Sequence, residues 1–396
     1  MADKSYKRNI IIAAGIIVLI ILANIVGSLR QTASEQQLIE SVFPPGQYSL
    51  HKENDNKWVI YDNNRDKPGF LYAGEGRGYN GMVGVLTHTD TAGNILGLEL
   101  ASHSETPSYI DRIINSGLLT QAGNINIREF AYDEPLDAVS GATITSNAIV
   151  IAVRHSYLDS EGLPREPFSG IVFGLNELFV ILIMAAGDSL AYIRPRKLQK
   201  TITWMLVVFT LVWLGFMNNQ MLTLTRIAAI LSGYLPDVTR ELYLYLLLGG
   251  SIILILIFRR NVYCHSVCPF GSAQELLARV KPARSFKPSW YRKWKWVQWS
   301  AALLILLTAI AMNNPGLAQY AVFGVFFQFT GSTILFMILF VTIVLSLFIR
   351  RPWCRFACPI DGVFAYVRAF TGFSGASRQA CKIKPDGTKS RKSCFI

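Results

Sequence analysis

The sequence predicts an α-helical integral membrane protein of about six spans with an inserted extracytoplasmic α+β domain. Mean hydropathy is +0.33 over 396 residues, and apolar runs of near-membrane length recur along the chain. One polar stretch, 30–167, interrupts them with the alternating pattern of strands, as in Gly81-Met-Val-Gly-Val-Leu86 and Ile95-Leu-Gly-Leu-Glu-Leu100, broken by turn signals at Asp90-Thr-Ala-Gly93. The formal net charge is +12, but Lys and Arg cluster beside the apolar runs. Lipid headgroups account for them, and nucleic acid is not expected as a partner.

Residues 1–29 form the cytoplasmic N-terminus and first span. Asn9 to Leu29, behind Lys4, Lys7 and Arg8, is too long for a cleaved signal peptide and lacks a small-x-small site, so it reads as an uncleaved signal anchor. The α+β domain, 30–167, follows. A membrane domain, 168–370, then carries apolar runs near 168–193, 202–218, 241–258, 297–312 and 332–349, and a basic cytoplasmic tail, 371–396, ends the chain. Basic residues are retained on the cytoplasmic side. They crowd the loops after the second, fourth and sixth runs (Arg194 to Lys200, Arg259 to Arg292, Arg350 to Arg355), whereas 313–331 has none. Both termini are therefore expected in the cytoplasm, in a multi-pass protein of the cell membrane, with 30–167 outside.

The last four runs contain a tandem repeat. Met217-Asn-Asn, then Phe258-Arg-Arg-Asn-Val-Tyr-Cys264, is echoed by Met312-Asn-Asn, then Ile349-Arg-Arg-Pro-Trp-Cys354. Two spans per unit make the repeats parallel, so equivalent positions share a face. Each unit ends in a thiol pair, Cys264-His-Ser-Val-Cys268-Pro and Cys354-Arg-Phe-Ala-Cys358-Pro. A spacing of four on a helix places both thiols on one side. Four thiolates on one membrane face make a ligand set for an iron–sulfur cluster or a tetrahedral zinc, with Arg259, Arg260, Arg350, Arg351 and Arg355 positioned to favour deprotonation. Cys381 and Cys394, in the tail, read as plain thiols. No histidine lies within a span, which disfavours a b-type haem.

Asp137-Ala-Val-Ser140-Gly141-Ala142-Thr143 precedes a helical stretch. It can be a plain helix start with Thr143 or Thr145 as N-cap. It equally suits an anion, because Gly141 permits close backbone approach and helix N–H groups favour a phosphate.

The Asp-x-x-Ser-Gly-Ala-Thr string resembles the flavinylation motif of FMN-binding domains in Na⁺-translocating quinone reductases, the Rnf complex and NosR-type proteins. Gly78-Tyr79-Asn-Gly81-Met-Val, Asp90 to Gly93, and His103-Ser-Glu105-Thr106-Pro107 resemble further segments of that family, although Ser108-Tyr109 stands where glycine is usual. The resemblance implies FMN esterified through its phosphate to Thr143 by a flavin transferase. Asp137, Ser140, Gly141, Ala142, Gly78 and Tyr79 would form the site, and Glu105 and Thr106 would line the flavin. The Cys-x-x-x-Cys-Pro pairs are similar to those of NosR/NirI and NapH-type membrane proteins, where they are taken as redox or iron–sulfur motifs. The chain is similar overall to the short form found with reductive dehalogenases, the PceC type.

Two redox signatures on opposite sides, together with the resemblance, imply electron transfer from a quinol, such as menaquinol, or a cytoplasmic donor to an extracytoplasmic reductase, with a reductive dehalogenase as one candidate. A maturation or regulatory role for such a reductase is the alternative, and a zinc-holding flavin sensor a third. Glu177 and Asp188 fall within the second run, as part of a quinone pocket or as hydrated interfacial groups. Trp290, Trp294, Trp296 and Trp299 read as an interfacial belt. Cytoplasmic thiols and an outside flavin stand about 30 Å of hydrocarbon apart. Domain motion, menaquinone or another quinone, an extra cofactor, a partner subunit or an inward-leaning Ala321 to Phe329 are the candidate bridges.

Overall fold

The computed structural model describes every residue except 1, 45–47, 63–68, 80, 106, 134–135, 140–141, 166–172, 191, 194, 237, 240, 259, 281–289, 321, 330 and 372–396. Helix α1 (Ala2–Val42) runs through the boundary expected at residue 29. Gln, Glu, Leu and Ala favour continuation, and neither Gly nor Pro occurs between Arg30 and Phe43. The stretch Ile11–Arg30 is long and apolar enough to cross a membrane. Just past the helix, Phe43 is buried with Ile60, Leu71 and Leu86, which ties the anchor to the sheet.

The polar domain is a separate α+β unit. Strands β1 (Tyr48–Asn54), β2 (Lys57–Asp62), β3 (Gly69–Arg77), β4 (Met82–Thr89) and β5 (Ile95–His103) form an antiparallel meander in sequence order. The predicted turn at 90–93 is present. One Asp90 carboxylate oxygen accepts from the N–H groups of Ala92 and Asn94, each at 2.8 Å. Helices α2 (Pro107–Ser116), α3 (Leu118–Gln121), α4 (Ile127–Asp133) and α5 (Thr143–Ser160) complete the domain. Helix α5 lies on β3 at very short range: a Cβ on Gly74 or Gly76 would stand 2.0 or 1.8 Å from the carbonyl oxygens of Ala152 and Ala148. The glycines let Ala148, Ile149, Ala152 and Val153 become fully buried. This packing brings the start of α5 beside the β3–β4 turn.

The remaining helices form a second body. Helix α6 (Leu175–Ser189) is followed by α7 (Arg196–Phe209), which continues as a π-helix, Thr210–Met217. Then come α8 (Leu224–Leu231), α9 (Leu242–Phe258), a π-helical turn at Tyr263–Val267 and α10 (Pro269–Val280). The second repeat runs α11 (Tyr291–Ala311), a 3₁₀ turn at Pro315–Ala318, α12 (Phe323–Gln328), α13 (Thr333–Phe348), α14 (Pro352–Phe356) and α15 (Pro359–Thr371).

The six expected spans are not all matched by helices of membrane-crossing length. Among the described residues three are long and apolar enough, Ile11–Arg30, Lys197–Met217 and Lys293–Ala311, while Leu242–Phe258 and Thr333–Phe348 are apolar but shorter. The reason lies in the connections. In each repeat the segment after Met-Asn-Asn folds back into the bundle: Met221, Leu222 and Leu224 in the first, and Val322, Phe323 and Val325 in the second, join one apolar core with Tyr263, Phe270 and Phe364. Helix α6 has 15 residues, and its Glu177 accepts from the Gly174 N–H at 2.9 Å. Glu177 is thus a helix cap and not a free acid in a quinone pocket. Asp188 keeps one buried carboxylate oxygen without a partner among the described residues, and Arg194 lies outside them.

Candidate functional site

Thr143 opens α5 and is exposed. Neither threonine is the N-cap: Ala142 holds that position, without a side-chain cap. Thr145 instead donates to Glu105 Oε2 at 2.7 Å, because the carboxylate is buried at 4 % exposure and requires donors. Glu105 thus links the end of β5 to the first turn of α5. The Thr143 hydroxyl makes only a long approach, 3.5 Å, to the Val139 carbonyl.

A cavity of about 230 Å³ opens at Thr143, lined by Tyr79, Tyr109, Ala142, Ile144 and Thr145 from the sheet domain and by Asn218, Asn219, Tyr243 and Gln328 from the helical body. Of the expected flavin residues, Thr143, Ala142 and Tyr79 line it. Glu105 stands behind Thr145, and Gly78 closes the β3–β4 turn through its N–H to the Gly81 carbonyl at 2.8 Å. Asp137 is outside the cavity lining, on the loop before α5. Thr106, Ser140 and Gly141 lie outside the described residues. The contributions of Asn218, Asn219, Tyr243 and Gln328 are illegible in the sequence, because Met-Asn-Asn reads only as a repeat marker. Tyr109, beside the Ser108 that stands where glycine is usual in the resembled family, is the one available signal.

The two bodies meet around this cavity. Tyr109 donates to Gln328 Oε1. Arg226, 3 % exposed, is ion-paired with Glu241 and lies 4.1 Å from the Tyr79 ring centroid. A Cβ on Gly316 would stand 2.5 Å from the Ser104 carbonyl oxygen, so only glycine permits that approach. An FMN ring suits this cleft on two counts: tyrosines Tyr79, Tyr109 and Tyr243 surround it, and Asn219 Oδ1 is buried without a partner among the described residues, an acceptor available to a ring N–H.

The cysteine pairs do not lie on continuous α-helices. Cys264 is within the π-helical turn and Cys354 within α14, and each helix ends before its second cysteine. Proline then starts a new helix, α10 or α15, as suits its fixed φ and missing N–H. The second cysteine of each pair thereby precedes a helix N-terminus, whose first N–H groups, of Phe270 and Gly271 near Cys268 and of Asp361 near Cys358, favour the thiolate.

The loops are joined across the repeat. Arg351 donates to the carbonyls of Cys264 and His265 at 3.0 and 3.1 Å. Gln274 Nε2 reaches Cys354 Sγ at 3.5 Å, while Gln274 Oε1 accepts from the Trp353 N–H at 3.0 Å. All four thiols are within electrostatic reach of one another, and Arg351 is within reach of Cys268 and Cys354. The expected arginine group divides. Arg350 is committed to buried Glu275, Arg260 lies over Tyr192, Arg355 is near Cys354, and Arg259 is outside the described residues.

Zinc–sulfur bonds of about 2.3 Å would require sulfurs roughly 3.8 Å apart. Among the described residues no three His, Cys, Asp or Glu groups gather to hold a single ion. Four cysteines within electrostatic reach of one another match the ligand number of a multi-iron cluster. Cys264, Cys268, Cys354 and Cys358 would be the chain's donors toward such a cluster.

Comparison with known proteins agrees with both sites. An FMN-binding domain matches residues 78–157, and a 4Fe-4S binding domain matches 242–292 and 330–374. Regulatory protein NosR of Pseudomonas aeruginosa is 27% identical over 204 residues, covering 47% of this chain and 28% of the relative. Protein NirI of Paracoccus denitrificans is 26% identical over 213 residues, covering 50% and 31%. The chain is thus similar to NosR/NirI-type proteins and carries an FMN-binding domain. Its FMN-binding domain is also similar to a component of the ion-translocating oxidoreductase complex of Vibrio vulnificus, 39% identical over 89 residues, or 20% of this chain and 42% of the relative. The chain spans less than half the length of each of these three relatives.

Proposed function

We propose that this chain is a membrane electron-transfer flavoprotein that carries electrons from a quinol or cytoplasmic donor to an extracytoplasmic reductase, with FMN held covalently on Thr143. The observation that carries the reading is the placement of Thr143 on a cleft shared with the helical body that holds the four cysteines. When bound, FMN supplies a carrier able to exchange one or two electrons, and an iron–sulfur cluster supplies a one-electron carrier. The chain's own part is positional. Glu105 fixes the first turn of α5 through Thr145, the start of α5 favours a phosphate, and Arg351 holds the two cysteine loops together.

A tether is chemically useful if the domain lies outside the cell, as the distribution of basic residues favours, since released flavin would be lost by dilution. The attachment would require a flavin transferase. A reductive dehalogenase is the acceptor favoured by the likeness to short family members. A maturation or regulatory role is favoured by one relative's description as a regulatory protein. Under that role, deleting the chain removes cofactor from the partner reductase, whereas an electron carrier's loss leaves that reductase loaded but unreduced. Covalent attachment is tested by in-gel flavin fluorescence of denatured protein: Thr143→Val is expected to abolish the signal, and fluorescence equal to the parent's would reject Thr143 as the attachment point.

A further inference from the structure

The cysteines and the flavin cleft lie toward opposite ends of the helical body. Gln298 of α11 donates to the Cys358 carbonyl at 2.7 Å. The Ile310 carbonyl, roughly 18 Å further along the same helix at 1.5 Å per residue, is at the end where Pro315 and Gly316 meet the sheet domain. The inward-folded segments shorten this separation. Asn218 and Asn219 line the cleft, and Leu222 follows within about 11 Å even if the intervening chain is fully extended. Leu222, fully buried, donates its N–H to Tyr263 Oη at 2.9 Å. The backbone carbonyl of the same Tyr263 accepts from the Cys268 N–H at 2.8 Å, and its hydroxyl lies within electrostatic reach of the Cys268 sulfur. Tyr263 is 1 % exposed, and its ring packs against Phe364 at 5.9 Å.

One tyrosine therefore joins the sulfur site to a segment that continues from the flavin cleft. The matching residue of the second repeat, Trp353, makes no such link: its indole N–H is buried without a partner among the described residues.

Building on the electron-transfer reading, we infer that Tyr263 is the positioning residue that couples the cysteine-ligated centre to the flavin cleft, through Cys268 on one side and Leu222 to Asn219 on the other. Each transfer oxidises the iron centre by one electron and reduces the flavin by one. Two transfers and two protons from water complete the flavin's reduction, and a low-potential donor or quinol restores the iron centre. The Tyr263 hydroxyl dipole, within electrostatic reach of the Cys268 sulfur, also stabilises the more negative, reduced centre.

The test uses the full chain with Tyr263→Phe, which keeps the ring and removes the hydroxyl with its bond to Leu222, beside Trp353→Phe as the matched change in the other repeat. Iron and flavin contents are measured first, then the potential of the iron centre by EPR-monitored titration, then the rate of flavin reduction after dithionite reduces that centre. The expected result is unchanged cofactor content in Tyr263→Phe, a lower potential of the iron centre and flavin reduction slowed several-fold, with Trp353→Phe near the parent. Parent-like potential and rate in a loaded Tyr263→Phe protein, or equal shifts in the two variants, overturn the inference alone. A loaded parent that passes no electron from the iron centre to the flavin overturns the electron-transfer reading and the inference with it.

Discussion

Single side chains decide where the two bodies meet. Arg226 lies between the apolar runs 202–218 and 241–258, yet it is buried against Glu241 and under Tyr79. A buried pair broken on one side leaves an unpaired charge, at a cost of about 3–5 kcal/mol. Arg226→Met is therefore expected to lower the thermal unfolding temperature in detergent, and adding Glu241→Gln should recover part of the loss. Equal stability of parent and single variant would show that the pair is solvated. Thr145 makes the same point on a smaller scale. Its hydroxyl is an acceptable helix cap by local rules, and only the distant Glu105 carboxylate explains why it is turned away.

At the scale of elements, the approach of α5 to β3 sets the position of Thr143. Gly74 and Gly76 sit in a strand whose side chains would otherwise strike the helix backbone. Gly76→Ala forces the two apart, an overpacking expected to cost roughly 1–3 kcal/mol and to reduce flavin incorporation. Denaturation of the full chain together with flavin fluorescence checks both, and normal incorporation in the variant would detach the packing from the site. The turn at 90–93 and the alternating strands are legible in the sequence because they are local. The cysteine helices are not, since a spacing of four suggests one continuous helix while Cys-Pro ends one helix and begins another.

Over the whole molecule, the four cysteines come from two repeats, and a cluster bound by all of them would staple α9 and α10 to α13 and α15. Cys358→Ser is expected to lose iron while keeping flavin on Thr143, and the iron-free protein should unfold at lower temperature than the loaded one. Iron analysis, in-gel fluorescence and thermal scans read these separately, and retained iron in the variant would remove Cys358 from the ligand set. The same staple places the centre within the bundle, where the inward-folded segments approach it.

The polar α+β domain, the repeat, the candidate thiols and the threonine motif can all be read from the order of residues, because each rests on local pattern: alternation of period two, recurring strings and short spacings. Packing in three dimensions is what sets Asn218, Asn219, Tyr243 and Gln328 as the far wall at Thr143. It also turns the segments after each Met-Asn-Asn inward. Apolar residues suit lipid and a packed helical core equally well, so hydropathy carries no information about which of the two will surround Leu222 or Phe323.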